Sequence, residues 1–146
     1  KLEPNVSTTL ERFQTLKTLR DAGIPTVVWL CPLLPFINDT EANLRGILDY
    51  CRQAGVKGIL CFGFGLTLRQ GNREYFYQNL DRLSPGMKER YIKTFGNNYA
   101  CNSPNNARLM RILRDTCQQQ EIISKPNDVF AYLEKFELKE RQLSLF

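Results

Sequence analysis

The chain carries one pattern twice, first as Arg20-Asp21-Ala22-Gly23-Ile24-Pro25-Thr26-Val27-Val28 and then as Arg52-Gln53-Ala54-Gly55-Val56-Lys57-Gly58-Ile59-Leu60. Arg20 and Arg52 are 32 residues apart, which is about the length of one strand-plus-helix unit. In each copy an amphipathic helix ends at Ala-Gly, where glycine takes the left-handed position that closes a helix. A short apolar strand follows in both copies. The repeat therefore predicts consecutive βα units.

The helices predicted around the repeat cover about residues 8–22 and 40–54. Thr8 with Glu11, and Asn38 with Glu41, have the spacing of a capping box at the two helix starts. The strands predicted at about 26–34 and 57–66 are almost continuously apolar. Such runs are typical of strands buried on both faces, as in a parallel sheet covered by helices.

In the second half of the chain, the sequence pattern predicts only helices. They cover about residues 73–83, 85–95, 104–119 and 127–136. Ser84-Pro85 and Ser103-Pro104 each combine an N-cap residue with proline at the first helical position. Gly96 is expected to close the second of these helices.

The number of strands determines the predicted fold class. Two parallel strands do not form a stable covered sheet alone, since three or more are usually needed. We therefore predict an α/β fold, the C-terminal portion of a partial TIM-like barrel with about two parallel βα units followed by several helices. The expected divisions are residues 1–70 for the βα units, 71–137 for a helical extension and 138–146 for a polar tail.

The start of the chain suggests where the remaining strands lie. Lys1-Leu2-Glu3-Pro4 has no initiator Met and no apolar leader, so we expect a cut inside a longer protein. The missing N-terminal half of the barrel would then be a partner of this chain.

Composition excludes several classes of protein. The 146 residues include no histidine, which removes Ser-His-Asp and Cys-His catalytic sites and most zinc sites. No apolar run approaches the roughly 20 residues that cross a bilayer, so no membrane partner is expected. Twenty Lys and Arg against 15 Asp and Glu give a net charge of +5. That balance suits a nucleic-acid partner, or ordinary solvated helix faces.

The five cysteines show no metal-ligand spacing, since no two are closer than ten residues. An odd number without a secretory signal favours free thiols in a reducing cytoplasm. Cys31 and Cys61 fall in predicted strands, and Cys51 and Cys117 in predicted helices, where burial is the default. Cys101 falls in a polar loop and is the candidate for a reactive thiol.

Two segments follow the predicted strands, at the end of the sheet where α/β proteins bind ligands. They are residues 32–39 and 63–75. Gly63 and Gly65 lack side chains, so a flat ligand could approach the backbone there. Arg69, Asn72, Arg73 and Glu74 could hold a polar or phosphate-bearing substrate. The alternatives are a bulge or tight corner at the glycines and a helix cap at Asn72.

These segments resemble a known enzyme family. Residues 2–4, 22–25 and 32–39 resemble the second half of a radical S-adenosylmethionine enzyme. Residues 62–77 and 99–106 narrow the resemblance to the spore photoproduct lyase-like group. It implies a partial TIM-like barrel that holds a [4Fe–4S] cluster and S-adenosylmethionine. Reductive cleavage of S-adenosylmethionine would give a 5′-deoxyadenosyl radical that abstracts hydrogen from an unknown substrate, with nucleic acid a candidate.

The resemblance also implies roles for individual residues. Glu3, Asn38, Gly63 and Gly65 would lie nearest S-adenosylmethionine, and Arg69, Asn72, Arg73 and Tyr75 would face the substrate. The family's C-x-x-x-C-x-x-C cluster loop is absent from this sequence. The cluster ligands are therefore expected upstream of Lys1 in the parent protein, and this chain alone is expected to bind no cofactor and to be inactive.

The last five residues carry a second resemblance. Gln142-Leu143-Ser144-Leu145-Phe146 resembles the pentapeptide by which bacterial proteins bind the DNA polymerase sliding clamp. Gln142, Leu143, Leu145 and Phe146 would be the contact residues, with the apolar side chains entering a hydrophobic groove. The alternative is a final helical turn packed on the chain's own core. The clamp motif supports a second hypothesis for the chain, a non-catalytic DNA-associated interaction module.

Overall fold

Six α-helices and four three-residue strands lie within residues 5–135, the part of the chain that the computed structural model describes. The helices are α1 Thr9–Asp21, α2 Glu41–Ala54, α3 Asn72–Leu83, α4 Met87–Phe95, α5 Asn106–Gln119 and α6 Pro126–Leu133. The strands are β1 Val27–Trp29, β2 Gly58–Leu60, β3 Gly65–Thr67 and β4 Ala100–Asn102. The protein is therefore mixed α/β, as the sequence predicts.

The repeated pattern forms a parallel pair of strands. β1 pairs with β2 in parallel, with Val28 opposite Ile59. Ile123 adds a parallel bridge on the far side of β2, where its carbonyl accepts the Ile59 N–H at 2.8 Å. β2 is thus flanked on both sides, whereas β1 pairs only with β2 among the described residues.

The predicted strands at 26–34 and 57–66 are too long. β1 ends at Trp29, before Pro32 and Pro35, which have no N–H to donate to a neighbouring strand. β2 ends at Leu60, and the glycines at 63 and 65 turn the chain so that β3 joins a different sheet.

The first two predicted helices are confirmed within two residues. Thr8 and Glu11 form the predicted capping box of α1. Gly55 closes α2 in the left-handed conformation at φ +67°. The predicted cap at Asn38 is wrong, because Thr40 caps α2 and accepts the Asn43 N–H. The Asn38 amide oxygen instead accepts the Leu34 N–H within the loop after β1.

The second half is not purely helical. β3 and β4 form an antiparallel pair with Leu66 opposite Cys101. The serines predicted as N-caps also differ from the structure, since α4 begins after Gly86 and α5 after Asn105. Gly96 does close α4.

Two apolar clusters form the interior of the described residues. The larger lies between the β1–β2 sheet and helices α1, α2 and α5, and includes Leu44, Leu48, Ile59, Phe64 and Leu113. The smaller surrounds Tyr91 and contains Leu68, Leu80, Phe95 and Cys101. Among residues 5–135, no helix is both long and apolar enough to cross a membrane.

The exposure of two cysteines is the opposite of the sequence prediction. Cys101 is fully buried in β4, where burial raises the pKa of its thiol, so it is not the reactive cysteine. Cys31 is exposed because β1 ends two residues before it. Cys51, Cys61 and Cys117 are buried, as predicted.

Candidate functional site

A cleft of about 510 Å³ opens where β1 and β2 end. Cys31, Pro32 and Leu34 border it from the chain that follows β1. The segment after β2 contributes residues 62–68, which include all of β3. Its remaining wall comes from α3 and β4, through Asn72, Tyr75, Phe76, Ala100 and Asn102. This is the end of a parallel sheet at which α/β proteins bind ligands.

The lining is apolar with a few polar side chains. Thr67 and Tyr75 supply hydroxyls and Asn72 and Asn102 supply amides, and none of the described lining residues is charged. An amide offers both a hydrogen-bond donor and an acceptor. The cleft therefore suits an uncharged, partly planar group with polar edges, which is the usual chemistry of a small-molecule site.

Two aromatic rings stand at the edge of the cleft. The side chain of Phe62, which lines the cleft, is 65% exposed, and that of Trp29 is 63% exposed. Their ring centroids lie 6.0 Å apart with an edge-to-face tilt of 64°. Such exposed rings present flat apolar surface on which another ring can stack.

The structure brings four of the predicted site residues together. Gly63, Gly65, Asn72 and Tyr75 all line the cleft. Gly65 is explained by the fold itself, since it has φ +154° and a side chain there would collide with the Cys101 carbonyl and approach the Asn102 Cα to 2.9 Å. The tight-corner alternative therefore accounts for Gly65, whatever else it contacts.

Asn38 and Arg69 lie outside the cleft lining. Asn38 is half-buried and its amide oxygen is bonded to the backbone of its own loop. The Arg69 Nε–H donates to the Tyr99 hydroxyl oxygen at 3.3 Å. Arg69, together with Thr67, lowers the pKa of Tyr99 by hydrogen bonding. The substrate role of Arg69 stays a prediction.

Arg73 also lies outside the lining and is bonded to the backbone. Its guanidinium donates to the carbonyls of Leu68, Gly96, Asn97 and Asn98 at 2.9–3.2 Å. These bonds fasten the start of α3 to the turn between α4 and β4. The observed role of Arg73 is structural, and its contact with substrate stays a prediction.

Sequence reasoning missed a buried polar cluster behind the cleft. Asp39 and Ser103 are both buried, and the Ser103 hydroxyl donates to the Asp39 carboxylate. The same carboxylate accepts the Phe36 N–H at 2.8 Å, and the Asn105 amide donates to the Asp39 carbonyl at 3.2 Å. The sequence pattern predicts Ser103 as a helix cap, and no local pattern links it to Asp39.

Asn106 was also missed as a site residue. Its side-chain oxygen accepts the Phe64 N–H at 2.7 Å. A β-carbon on Gly63 would lie 3.4 Å from that same oxygen. Asn106 therefore touches the segment that forms one side of the cleft, although it begins a helix 42 residues further along the chain.

The described residues do not fit an iron–sulfur cluster. Within residues 5–135, no three or more His, Cys, Asp or Glu side chains are grouped so as to hold a metal ion. Glu3, predicted near S-adenosylmethionine, lies outside the described residues. So do Gln142, Leu143, Leu145 and Phe146 of the predicted clamp-binding peptide.

Comparison with known proteins finds short similarities. No protein-family model matches the chain, and no solved structure matches it. Uncharacterized proteins of Mycobacterium tuberculosis and Mycobacterium bovis are each 31% identical over 94 residues, which are 64% of this chain and 27% of the relative. The match thus spans about a quarter of the length of these curated relatives.

A second similarity is shorter. A formate–tetrahydrofolate ligase of Paracoccus denitrificans is 41% identical over 46 residues, which are 32% of this chain and 8% of that protein. These shares are too small to assign the chain to a family.

Proposed function

We propose that this chain is the C-terminal part of a radical S-adenosylmethionine enzyme of the spore photoproduct lyase-like group, and that the cleft binds S-adenosylmethionine and borders the substrate. The observation that carries the proposal is the position of the cleft. It opens at the carboxyl ends of two parallel strands, and its lining includes Gly63, Gly65, Asn72 and Tyr75. The resemblance had implied cofactor or substrate contacts for these residues.

The chemistry of the cleft supports an adenosine group as its occupant. Adenine is flat, uncharged and rimmed by donors and acceptors, which matches an apolar lining with two amides and two hydroxyls. Phe62 offers a ring for stacking, and base–aromatic stacking contributes about 1–3 kcal/mol. The absence of a side chain at Gly63 leaves backbone groups accessible at the same wall.

The cluster requires residues other than those described. When bound to a reduced [4Fe–4S] cluster, S-adenosylmethionine would supply the 5′-deoxyadenosyl radical that is characteristic of this class of enzyme. Since residues 5–135 offer no set of ligands for that cluster, we assign its ligands to another part of the parent protein. The residues of this chain bind and orient the adenosine group and limit the access of water to it.

A partial barrel is the architecture that we propose for the parent protein. β1 has one edge without a strand partner among the described residues. Ile24, which lies just before β1, and Leu10 on α1 are exposed. An unpaired strand edge beside exposed apolar side chains is a surface that proteins normally cover. One further parallel strand and its helix would cover both, and the relatives are long enough to contain them.

Nucleic acid is the substrate class that we propose. The net charge of +5 favours an anionic partner. The exposed rings of Trp29 and Phe62 offer stacking surface at the edge of the cleft. Stacking on exposed aromatic side chains is how proteins hold unpaired bases.

The test uses the full-length protein, reconstituted anaerobically with iron and sulfide, with the 146-residue chain as its control. We expect a [4Fe–4S] electron paramagnetic resonance signal in the full-length protein only, changed by added S-adenosylmethionine. In Phe62→Ala, the concentration of S-adenosylmethionine needed for that change should rise about tenfold. Phe130→Ala, which alters an exposed ring on α6, is the matched control. A full-length protein without a cluster, or a cluster signal indifferent to S-adenosylmethionine, would refute the proposal.

A further inference from the structure

Phe64 is held at both of its backbone polar groups by the start of α5. Its N–H donates to the Asn106 side chain at 2.7 Å, and its carbonyl accepts the Ser103 N–H at 2.9 Å. Its ring is buried in the larger apolar cluster. Phe64 is therefore fixed on three sides, although it lies in a segment with no regular structure before β3.

The residues on either side of Phe64 are glycines. Gly63 has φ +133° and Gly65 has φ +154°, conformations that residues with side chains rarely adopt. A glycine on each side leaves the segment with many accessible backbone conformations unless contacts select one. Gly65 pairs with Asn102 in the β3–β4 sheet, and the Gly63 carbonyl accepts the Cys61 thiol. Between the two glycines, the amide of Asn106 is the side-chain group that holds the backbone of Phe64.

Asn106 is itself held in place relative to the opposite side of the cleft. The Asn106 N–H donates to the Ser103 carbonyl at 3.0 Å, and the Ser103 hydroxyl donates to the buried Asp39. Asp39 in turn accepts the Phe36 N–H in the loop that follows β1. One polar cluster thus joins the loop after β1 to the loop after β2, and residues of both loops line the cleft.

We propose that Asn106 is a positioning residue, which sets the shape of the cleft by fixing Phe64 between its two glycines. Asn106 does not line the cleft, so it acts on a bound molecule through residues 62–65. The identity of the ligand, S-adenosylmethionine, rests on the proposed function.

The test compares Asn106→Ala with Asn106→Asp in the full-length protein. Alanine removes the acceptor of the Phe64 N–H, whereas aspartate keeps an oxygen in the same place. Asn127→Ala, which removes an asparagine from the first turn of α6, is the matched control. The first measurement needs no ligand. It is amide hydrogen exchange of the peptide that covers residues 61–66, normalised to a core peptide of α2.

We expect Asn106→Ala to speed exchange in residues 61–66 about tenfold while the α2 peptide is unchanged. Asn106→Asp should restore slow exchange, and Asn127→Ala should have no effect. A loss of stability alone would speed exchange in both peptides together. Unchanged exchange in residues 61–66, or equal acceleration in α2, would overturn the positioning role whatever the cleft binds.

The second measurement is S-adenosylmethionine binding, measured by equilibrium dialysis with radiolabelled S-adenosylmethionine. Binding should weaken about tenfold in Asn106→Ala and recover in Asn106→Asp. Equal binding by the wild type and Asn106→Ala would also overturn the positioning role. If the wild type binds no S-adenosylmethionine while exchange changes as expected, the proposed function fails and the positioning role is supported.

Discussion

The hydroxyl of Tyr91 donates a 2.7 Å hydrogen bond to the carbonyl oxygen of Pro35, 56 residues earlier in the chain. Tyr91 lies in α4 and Pro35 in the loop that leads from β1 past the cleft. Phe36 packs edge-on against Tyr91, and the Arg90 guanidinium lies 3.9 Å from the centroid of the Phe36 ring. Helix α4 thus supports the loop that forms one wall of the cleft.

Removal of this hydroxyl should cost stability. Tyr91→Phe leaves the Pro35 carbonyl without its donor in a buried place, so the free energy of unfolding should fall by about 1–2 kcal/mol. Urea denaturation measures the difference. Tyr75→Phe, at a half-exposed tyrosine, is the control and should change the free energy by less than about 0.5 kcal/mol. Equal effects of the two substitutions would contradict the structural role of Tyr91.

Gly65 and Gly46 should respond in opposite directions to alanine. At Gly65 a methyl group would collide with the backbone of β4 and force a positive φ on a residue with a side chain, so we expect a loss of at least about 2 kcal/mol. Gly46 lies inside α2 with open space around it, and alanine there should add about 0.5–1 kcal/mol. Thermal unfolding of the two variants checks both signs. A stable Gly65→Ala protein would argue against the β3–β4 pairing.

The native protein should expose one reactive thiol. Cys31 is exposed, whereas Cys51, Cys61, Cys101 and Cys117 are buried. A thiol reagent added to the folded chain should therefore label one cysteine rapidly and the other four only on unfolding. Cys31→Ser should remove the rapid phase, and Cys101→Ser should keep it. Rapid labelling that survives in Cys31→Ser would show that the cleft side of β1 is arranged differently.

Buried thiols should make the fold sensitive to alkali. Burial raises the pKa of Cys51 from 9.0 to about 12 and that of Cys117 to about 11. The pKa values of these thiols are higher in the folded state than in the unfolded state. Their stabilising effect is therefore complete below pH 9 and is lost as the pH rises toward 11–12. Between pH 8 and pH 10, the titration of each of these thiols should lower the free energy of unfolding by about 1 kcal/mol.

The comparison that isolates this effect uses Cys51→Ala. Its free energy of unfolding, measured at pH 8 and pH 10, should fall by about 1 kcal/mol less than that of the wild type over the same interval. Tyrosine and lysine titrations contribute equally to both proteins and cancel in the difference. Parallel decreases in the two proteins would mean that the Cys51 thiol is accessible to water in the folded state.

The sequence predicts what local patterns determine. The repeat at residues 20–28 and 52–60 predicts α2, the parallel pair β1–β2 and Gly55 as a helix terminator, since each depends on neighbouring residues. β3 and β4 could not be predicted, because a strand of three residues is too short to show a periodic pattern. Their pairing also places Leu66 opposite Cys101, which lies far along the chain. The buried position of Cys101 in β4 could not be predicted for the same reason.

The candidate site also contains residues that local sequence predicts and residues that only the folded chain reveals. Gly63, Gly65, Asn72 and Tyr75 could be proposed because they follow a predicted strand, and ligands bind where parallel strands end. Arg73 has the side-chain chemistry of a substrate ligand, but three of its four backbone contacts are with a turn 23–25 residues away. Asp39 and Ser103 are 64 residues apart, so only the folded chain reveals their bond.

The most direct test of the account is the formation of 5′-deoxyadenosine. The full-length protein, which we propose contains this chain, would be reconstituted anaerobically with iron and sulfide. It would then be mixed with S-adenosylmethionine and reduced with dithionite, and the products would be separated by liquid chromatography. We expect 5′-deoxyadenosine in amounts comparable to the protein, and none from the 146-residue chain alone. A full-length protein that carries a reducible cluster but forms no 5′-deoxyadenosine would contradict the assignment of this chain to a radical S-adenosylmethionine enzyme.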